Sequence, residues 1–474
     1  MAYIVIEDFK SGLDRRKMAA SSPAGSLQTL TNAHITRGGE IEKRKALVPK
    51  FSLASGQTFG FCGANGVLYV FAGAAVTVPA GVTCQVLAHP TGAGTLRSIT
   101  AAEFFDGKVF ASAAFSDNSN YCYFNGARVT DWDPGAGQTV SGKKATALLT
   151  VRSKVYATFG SVLNFSAIQA PTDWGSGTGS GDGFINMSNQ SAGSETLTGI
   201  GRYQNYMAVF ARRNTQIWYM DPDPLQNVQR QVIPEIGTFA PRSIVNFGDI
   251  DIVFLSDTGV RSLRARDSSN QAGVNDIGTP VDDEIIAYMR SLTEAERAAA
   301  AAVLDPVDGR YIVAIGHRAY AFSYYPSSRI SSWSRYELPG QVENWVSMDG
   351  RLYARIGDTI YLYGGDDGNT YDASEVVVEL PYLDGRAIAT WKSFTGFDIV
   401  SEGEWAVFIN TDPNQPEVWS QIATLPDTRT TTLSQLDLDM VGEATMIKLK
   451  LVNSRAGPAK ISKLIVHYRS DGSH

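Results

Sequence analysis

The chain has 474 residues, more than one compact core of ordinary size holds unless that core is built from repeats. Its composition, 43% apolar and 19% charged, is that of a globular protein and excludes a disordered one. A net charge of −7 argues against a general nucleic-acid binder, which carries a basic excess.

Residues 1–46 hold no repeat. Ile4 to Ile6 fit a strand, and the polar run that follows, DFKSGLDRRKMAASSPAGSLQTLTNAHITRGGEIEKRKALVP, reads as an extended arm across the main body. Its basic residues, Lys10, Arg15, Arg16 and Lys17, then Lys43, Arg44 and Lys45, have two readings. They are either a solvated surface or contacts to an acidic partner or to DNA phosphates.

Apolar, β-branched hairpins then recur. Abundant glycine (45) with 20 Tyr and 21 Phe suits short strands and tight turns. Val67–Phe71 precedes a Gly-Ala turn and a short return strand. Lys108–Phe115 pairs with Tyr121–Phe124, Lys154–Phe159 with Val162–Phe165, and Tyr206–Phe210 with Gln216–Met220. Asp251–Leu255 turns through Ser256-Asp257-Thr258-Gly259, with Gly259 free to take a positive φ, into Val260–Leu263. Tyr311–Ile315 pairs with Ala319–Tyr324, and Leu352–Ile356 with Thr359–Tyr363.

These seven units start roughly 40 to 60 residues apart, the spacing of propeller blades with inserted loops. No single hairpin buries its own apolar face, whereas blades packed in a ring bury one another. The fold class expected is all-β: a β-propeller of about seven blades over residues 47–370, with a C-terminal β-sandwich-like domain over 371–474. A pair of β-sandwiches is the alternative.

Two stretches interrupt the pattern. Thr172 to Gly183, TDWGSGTGSGDG, carries alternating glycines but opens no helix, so a flexible loop is expected rather than a phosphate cradle. Thr279 to Val303 is helical, with Ser291 to Glu294 and Thr293 to Glu296 both fitting a capping box. It is read as two short helices inserted between blades. Beyond it, Glu375–Leu380, Ala387–Phe394, Trp405–Ile409, Met446–Val452 and Ile461–Tyr468 are the strands of the end domain. Lys448 and Lys450 are expected on a wet face opposite Ile447, Leu449 and Leu451.

The search for chemistry returns no catalytic set. His34, His89, His317, His467 and His474 show no metal-binding spacing, and Cys62, Cys84 and Cys122 form no CxxC pair. No GxSxG elbow appears. Asp305 with Asp308 and Asp282 with Asp283 fall in a turn and at a helix start, where aspartate serves local hydrogen bonding. GGDDGNTYD lacks the closing glutamate of a calcium loop. No catalytic residue, metal or cofactor is expected. The opening MAYIVIEDFK lacks a signal-peptide layout, and no apolar run reaches the ~20 residues of a membrane span, so synthesis in a reducing cytoplasm without a membrane anchor is expected.

From Arg202 to Asp367 the order of motifs is distinctive. YMAVFARRNTQIWYMDP is followed by VIPEIGTFAPRSIVNFGDIDIVFLSDTGVRSL, IGTPVDDEI, SLTEAERAAA, YIVAIGHRAYAFSY and SSWSRYE. It resembles the tail nozzle, or packaged-DNA stabilisation, proteins of short-tailed bacteriophages. FKSGLDRRKMAASSPAG and TNAHITRGGEIEKRK are similar to the arms that begin many phage structural proteins. The resemblance implies a virion tail protein made in the bacterial host. It implies a homo-hexameric ring below the portal and adaptor, beside tail fibre or spike proteins, that retains packaged double-stranded DNA and passes it at ejection.

In such a conduit an acidic wall lets a duplex slide, because neutralised phosphates would bind strongly through counterion release. The blade-turn carboxylates Asp257, Asp358, Asp366 and Asp367 are the channel-facing candidates. The competing functions are a stand-alone propeller scaffold and a glycan-contacting propeller in which Trp218, Trp333 and Trp345 stack on sugars.

Overall fold

In the computed structural model, residues 2–470 are described apart from 54–55, 57, 131–143, 176–180, 190–194, 204–205, 249–250, 266–271, 427–431, 434–435 and 438–442. His474 and the centre of the glycine-rich loop, 176–180, lie outside the described residues.

Seven antiparallel or mixed sheets follow one another in the chain. Their first strands neighbour each other in sequence around a closed circuit, and the strand Asn344–Met348 of the last meets Gly60–Ala64 of the first. The chain is therefore an all-β protein whose main body is a seven-bladed propeller. A hydrophobic cluster fills the space between each pair of blades. Phe210 and Phe254, for instance, meet at 5.0 Å between blades four and five. Phe110 meets Trp174 at 5.8 Å between blades two and three.

The hairpins legible in the sequence are the second and third strands of blades two to seven. They sit between inner and outer strands and between neighbouring blades, so both faces are buried and the sequence runs apolar without alternation. The inner strands are less conspicuous because they converge on the axis and carry small residues. A Cβ on Gly63 would stand 2.5 Å from Val346 Cγ1, and one on Gly199 2.3 Å from Ile244 Cδ1. Blade one departs from expectation. Its third strand, Val82–Val86, runs parallel to Val67–Ala72, because the segment after Ala72 crosses back before pairing instead of turning.

Blade seven is completed from the other end of the propeller. Leu47–Ser52 pairs antiparallel with Thr359–Tyr363 as its outer strand, so the ring is closed by backbone hydrogen bonds between its two ends.

Two differences concern the ends. The segment before residue 47 is not an arm laid over the body. Ala2–Ile6 and Ile41–Lys43 pair with the last strand, Lys460–Ser470, and Thr29–Thr31 pairs with Val376–Glu379, so these residues are strands of the C-terminal sandwich. The sandwich is also not separate. Thr29–Thr31 pairs in parallel with Ile330–Glu337, the outer strand of blade six, and one nine-stranded sheet runs from propeller into sandwich. One core cluster accordingly joins Phe9, Leu13 and Trp333 to Trp405 and Leu449.

The insertion after blade five forms helices Asp282–Ser291 and Glu294–Ala298. Only the second has the capping box: Thr293 Oγ1 accepts from Glu296 N, and Glu296 Oε2 accepts from Thr293 N. Ser291 instead ends the first helix, donating to Tyr288 O. Asp282 opens that helix and reaches back to blade five, accepting from Val260 N at 3.1 Å and Arg261 Nη1 at 2.6 Å. Gly259 (φ +111°) lies under this carboxylate, where a Cβ would stand 2.0 Å from Oδ1.

In the sandwich, residues 387–391 are a loop rather than part of a strand, which begins at Lys392. The Lys392 ammonium turns inward and donates to the carbonyls of Ala387, Thr390 and Thr445. Lys448 is likewise not on a wet face. It is buried, 3.3 Å from Glu379 and 4.8 Å from the ring of Trp419. Trp174, in the glycine-rich loop, is buried between blades, which ties down the start of a segment read as flexible.

Gly63→Ala should destabilise the fold by about 1–3 kcal/mol in urea unfolding, because the added methyl enters the seam where blade seven meets blade one.

Candidate functional site: propeller axis and blade rims

A cavity of about 390 Å3 lies on the propeller axis, lined by inner-strand residues of blades one to four and seven and by the segment leading into blade five. That segment, Pro241–Ser243, is a 3-10 turn that aims Arg242 across the axis. Arg242 Nη1 donates to Glu343 O and Nη2 to Ile99 O, each at 3.0 Å, linking blades five, seven and two. Burial, and then the nearby Arg355, oppose its charge and lower its pKa, with Glu343 acting the other way. Glu103 lines the same cavity, and burial pushes its carboxyl up to about 7. The Cys62 thiol beside it is raised to about 12 by burial and by the Glu103 charge.

None of the four acidic channel candidates lines this axis. Asp257 forms an ion pair with Arg212 on the facing turn of blade four, at 2.9 Å. Asp358 is a latch. It accepts from Gly56 N, Thr58 N and the Thr58 hydroxyl, and so holds the segment that leads from the closing strand into blade one. Burial opposes its ionisation, but these hydrogen bonds outweigh it and its pKa falls below the usual value. Asp366 pairs with Lys50 of the closing strand, and Asp367 caps its own turn at Asn369 and Thr370. Asp366 and Asp367 are exposed on the rim of blade seven.

Of the basic candidates, Lys43 and Arg44 are corrected outright: both are buried inside the protein. Lys43 Nζ donates to Asn453 Oδ1 and Arg455 O, and burial lowers its pKa to about 8. Arg44 bonds Asn32 Oδ1 and pairs with Asp372 at 3.3 Å. Arg15, Arg16 and Lys17 are exposed, and Asp14 holds Arg16 at 2.6 Å. Lys45 is half-buried.

The aromatic candidates for sugar stacking also turn inward. Trp218 and Trp333 are buried, and Trp345 packs between blades six and seven. His34 is buried against the Tyr336 hydroxyl, and His467 pairs with Asp398 at 2.9 Å. His89 bonds Asp117 and Ser119 through a single ring nitrogen, which is not the relay geometry of a nucleophile. Asp305 and Asp308 pair with Arg310. The three cysteines are free. Among the described residues no group of three or more His, Cys, Asp or Glu side chains is arranged to hold a metal, and no helix is long and apolar enough to cross a membrane.

Surface features that sequence reasoning passed over are apolar. Ile388 and Trp391 stand out from the loop pinned by Lys392, at 58% and 60% exposure, and Tyr3 from the strand Ala2–Ile6.

No protein-family profile matches the chain, and no curated protein matches it. Solved structures with a related form include the Neurospora crassa Pan2 WD40 domain, at 12% identity and a TM-score of 0.41, over 67% of this chain and 90% of that one. The WD40 β-propeller domain of Doa1 matches at 9% identity and a TM-score of 0.37, over 68% and 97%. A chain of the mitotic checkpoint complex matches at 10% and 0.37, over 76% and 93%. The blade count above rests on strand pairing, not on these likenesses.

Two outcomes follow from the titrating groups. Asp358→Ala should cost about 1–3 kcal/mol at neutral pH in urea unfolding. Because the folded pKa of Asp358 is depressed, that stability is present above its ordinary value of 3.8. The difference from wild type should therefore close as pH falls through the folded pKa. Glu103 has the opposite sign: its folded pKa, about 7, exceeds the ordinary 4.5. Its stabilising contribution is complete below 4.5 and is lost as pH rises through 7. Glu103→Gln should thus stabilise the protein by about 1–3 kcal/mol near pH 8 and change little near pH 4, as read by denaturant midpoints.

Proposed function

We propose that this chain is a structural subunit of a short phage tail: a nozzle-ring protein, assembled as a homo-hexamer, that extends the tail channel, retains packaged DNA and passes it at ejection. The reading starts from the ordered motifs between Arg202 and Asp367. The observation that carries it further is the sheet continuous from blade six into the sandwich, which welds the two parts into one stiff body. A mechanical part benefits from such a joint. A module that opens and closes on a ligand would not.

The propeller's own axis is crossed by Arg242 and holds only about 390 Å3, so a duplex would travel between subunits and not through a propeller. In this reading Asp366 and Asp367, exposed on blade seven, are the acidic residues available to a lumen, while Asp257 and Asp358 serve their own fold. Arg15 and Lys17 are the exposed basic residues available to an adaptor. The pinned Ile388 and Trp391 suit a contact with a fibre, spike or neighbouring subunit, since rigid exposed aromatics make strong interface anchors. The glycan-contacting alternative loses its platform, because Trp218 and Trp333 are inaccessible.

Cryo-electron microscopy of purified virions tests the reading. A six-fold ring at the tail tip into which this propeller and sandwich dock is the expected result. Absence of the protein from the particle, or copies only at fibre positions, would refute it.

A further inference from the structure

The axial cavity has an electrostatic property that the ring architecture does not require. Arg242 brings a full positive charge into it, yet both of its hydrogen-bond acceptors are neutral carbonyls. The nearest acid, Glu343, gives its carboxylate to Arg355 instead. Two guanidinium groups therefore share one carboxylate, which leaves a net positive charge at this end of the axis.

A side-chain amide lies beside the guanidinium. Asn344, next to the Glu343 carbonyl that Arg242 binds, lines the cavity, and among the described residues its side chain has no protein partner. Glu103, the acid in the lining, is four residues along the strand from Ile99, about 13 Å away in extended chain. It also titrates only near 7, because burial favours its neutral form. A cation beside an amide donor that lacks an acceptor is complementary to an anion with several oxygen acceptors. At about 390 Å3 the space exceeds the ~30 Å3 share of one water many times over, enough for such an anion with part of its hydration shell.

We propose that the axial cavity binds a small tetrahedral oxyanion, of the phosphate or sulfate class, anchored by Arg242 with Asn344 as a further donor. Since Arg242 already joins blades five, seven and two, the bound ion strengthens a tie across the ring, and the folded state gains stability with anion concentration. The site is independent of the role in a tail and would serve a propeller of any function.

Isothermal titration of the full chain with inorganic phosphate, against chloride at matched ionic strength, tests this. One saturable phosphate per chain is expected, weakened at least about ten-fold in Arg242→Gln and less in Asn344→Ala. No saturable phosphate or sulfate binding to the wild type, or equal affinity in Arg242→Gln, overturns the proposal. Should Arg242→Gln fail to fold, anomalous diffraction from selenate-soaked wild-type crystals decides. A peak beside the Arg242 guanidinium supports the site, and an empty cavity overturns it.

Discussion

The strand Leu47–Ser52 is the part on which the rest depends. Six blades can stack on one another without it, but the last would keep an open edge and the inner strands would not close on the axis. Its antiparallel pairing with Thr359–Tyr363 supplies the missing ladder, and Asp358 then takes three donors from the segment that continues into blade one. The two contacts act in series. The ladder fixes where the ring closes, and the carboxylate fixes the direction in which the chain leaves. Lys50 and Asp366 add an exposed pair at the same place, worth little beside the backbone bonds.

Around this ring the protein uses buried cations to hold irregular backbone. Lys43, Lys154 and Lys392, with the half-buried Arg242, all point inward and donate to carbonyls of connecting segments. Each loses hydration, and in each the pKa is lowered, with burial as the leading cause. The arrangement satisfies carbonyls that strands and helices cannot reach, at the expense of the cation's own solvation. Lys154, Lys392 and Lys43 join segments already adjacent in the fold. Arg242 differs in lining an open cavity.

The seven blades were legible because two strands of nearly every blade are buried on both sides and run apolar in the sequence. Gly259 and the Thr293–Glu296 capping box were legible for the same kind of reason: a local geometry demanded a particular residue. What escaped depended on distant pairing. The inner strands read as weak because glycines such as Gly63 and Gly199 admit their neighbours instead of packing side chains of their own. Residues 2–43 read as an arm because their partners, Val376–Glu379 and Lys460–Ser470, lie at the other end of the chain. Lys43 and Arg44 look like any surface pair until Asn453 and Asn32 are seen beside them. The axial site was invisible for the same reason, since Ile99, Arg242 and Glu343 meet only once the ring is shut.

Closure from both ends also sets a timetable during synthesis. The strand that shuts the ring leaves the ribosome some three hundred residues before its partner, so it must wait unpaired while the intervening blades form. A waiting strand is an invitation to mispair. Pro49 removes one of its amide donors and Lys50 adds a charge, both of which discourage pairing with a stranger. The nascent chain thus keeps this ribbon in reserve until the seventh blade arrives to receive it.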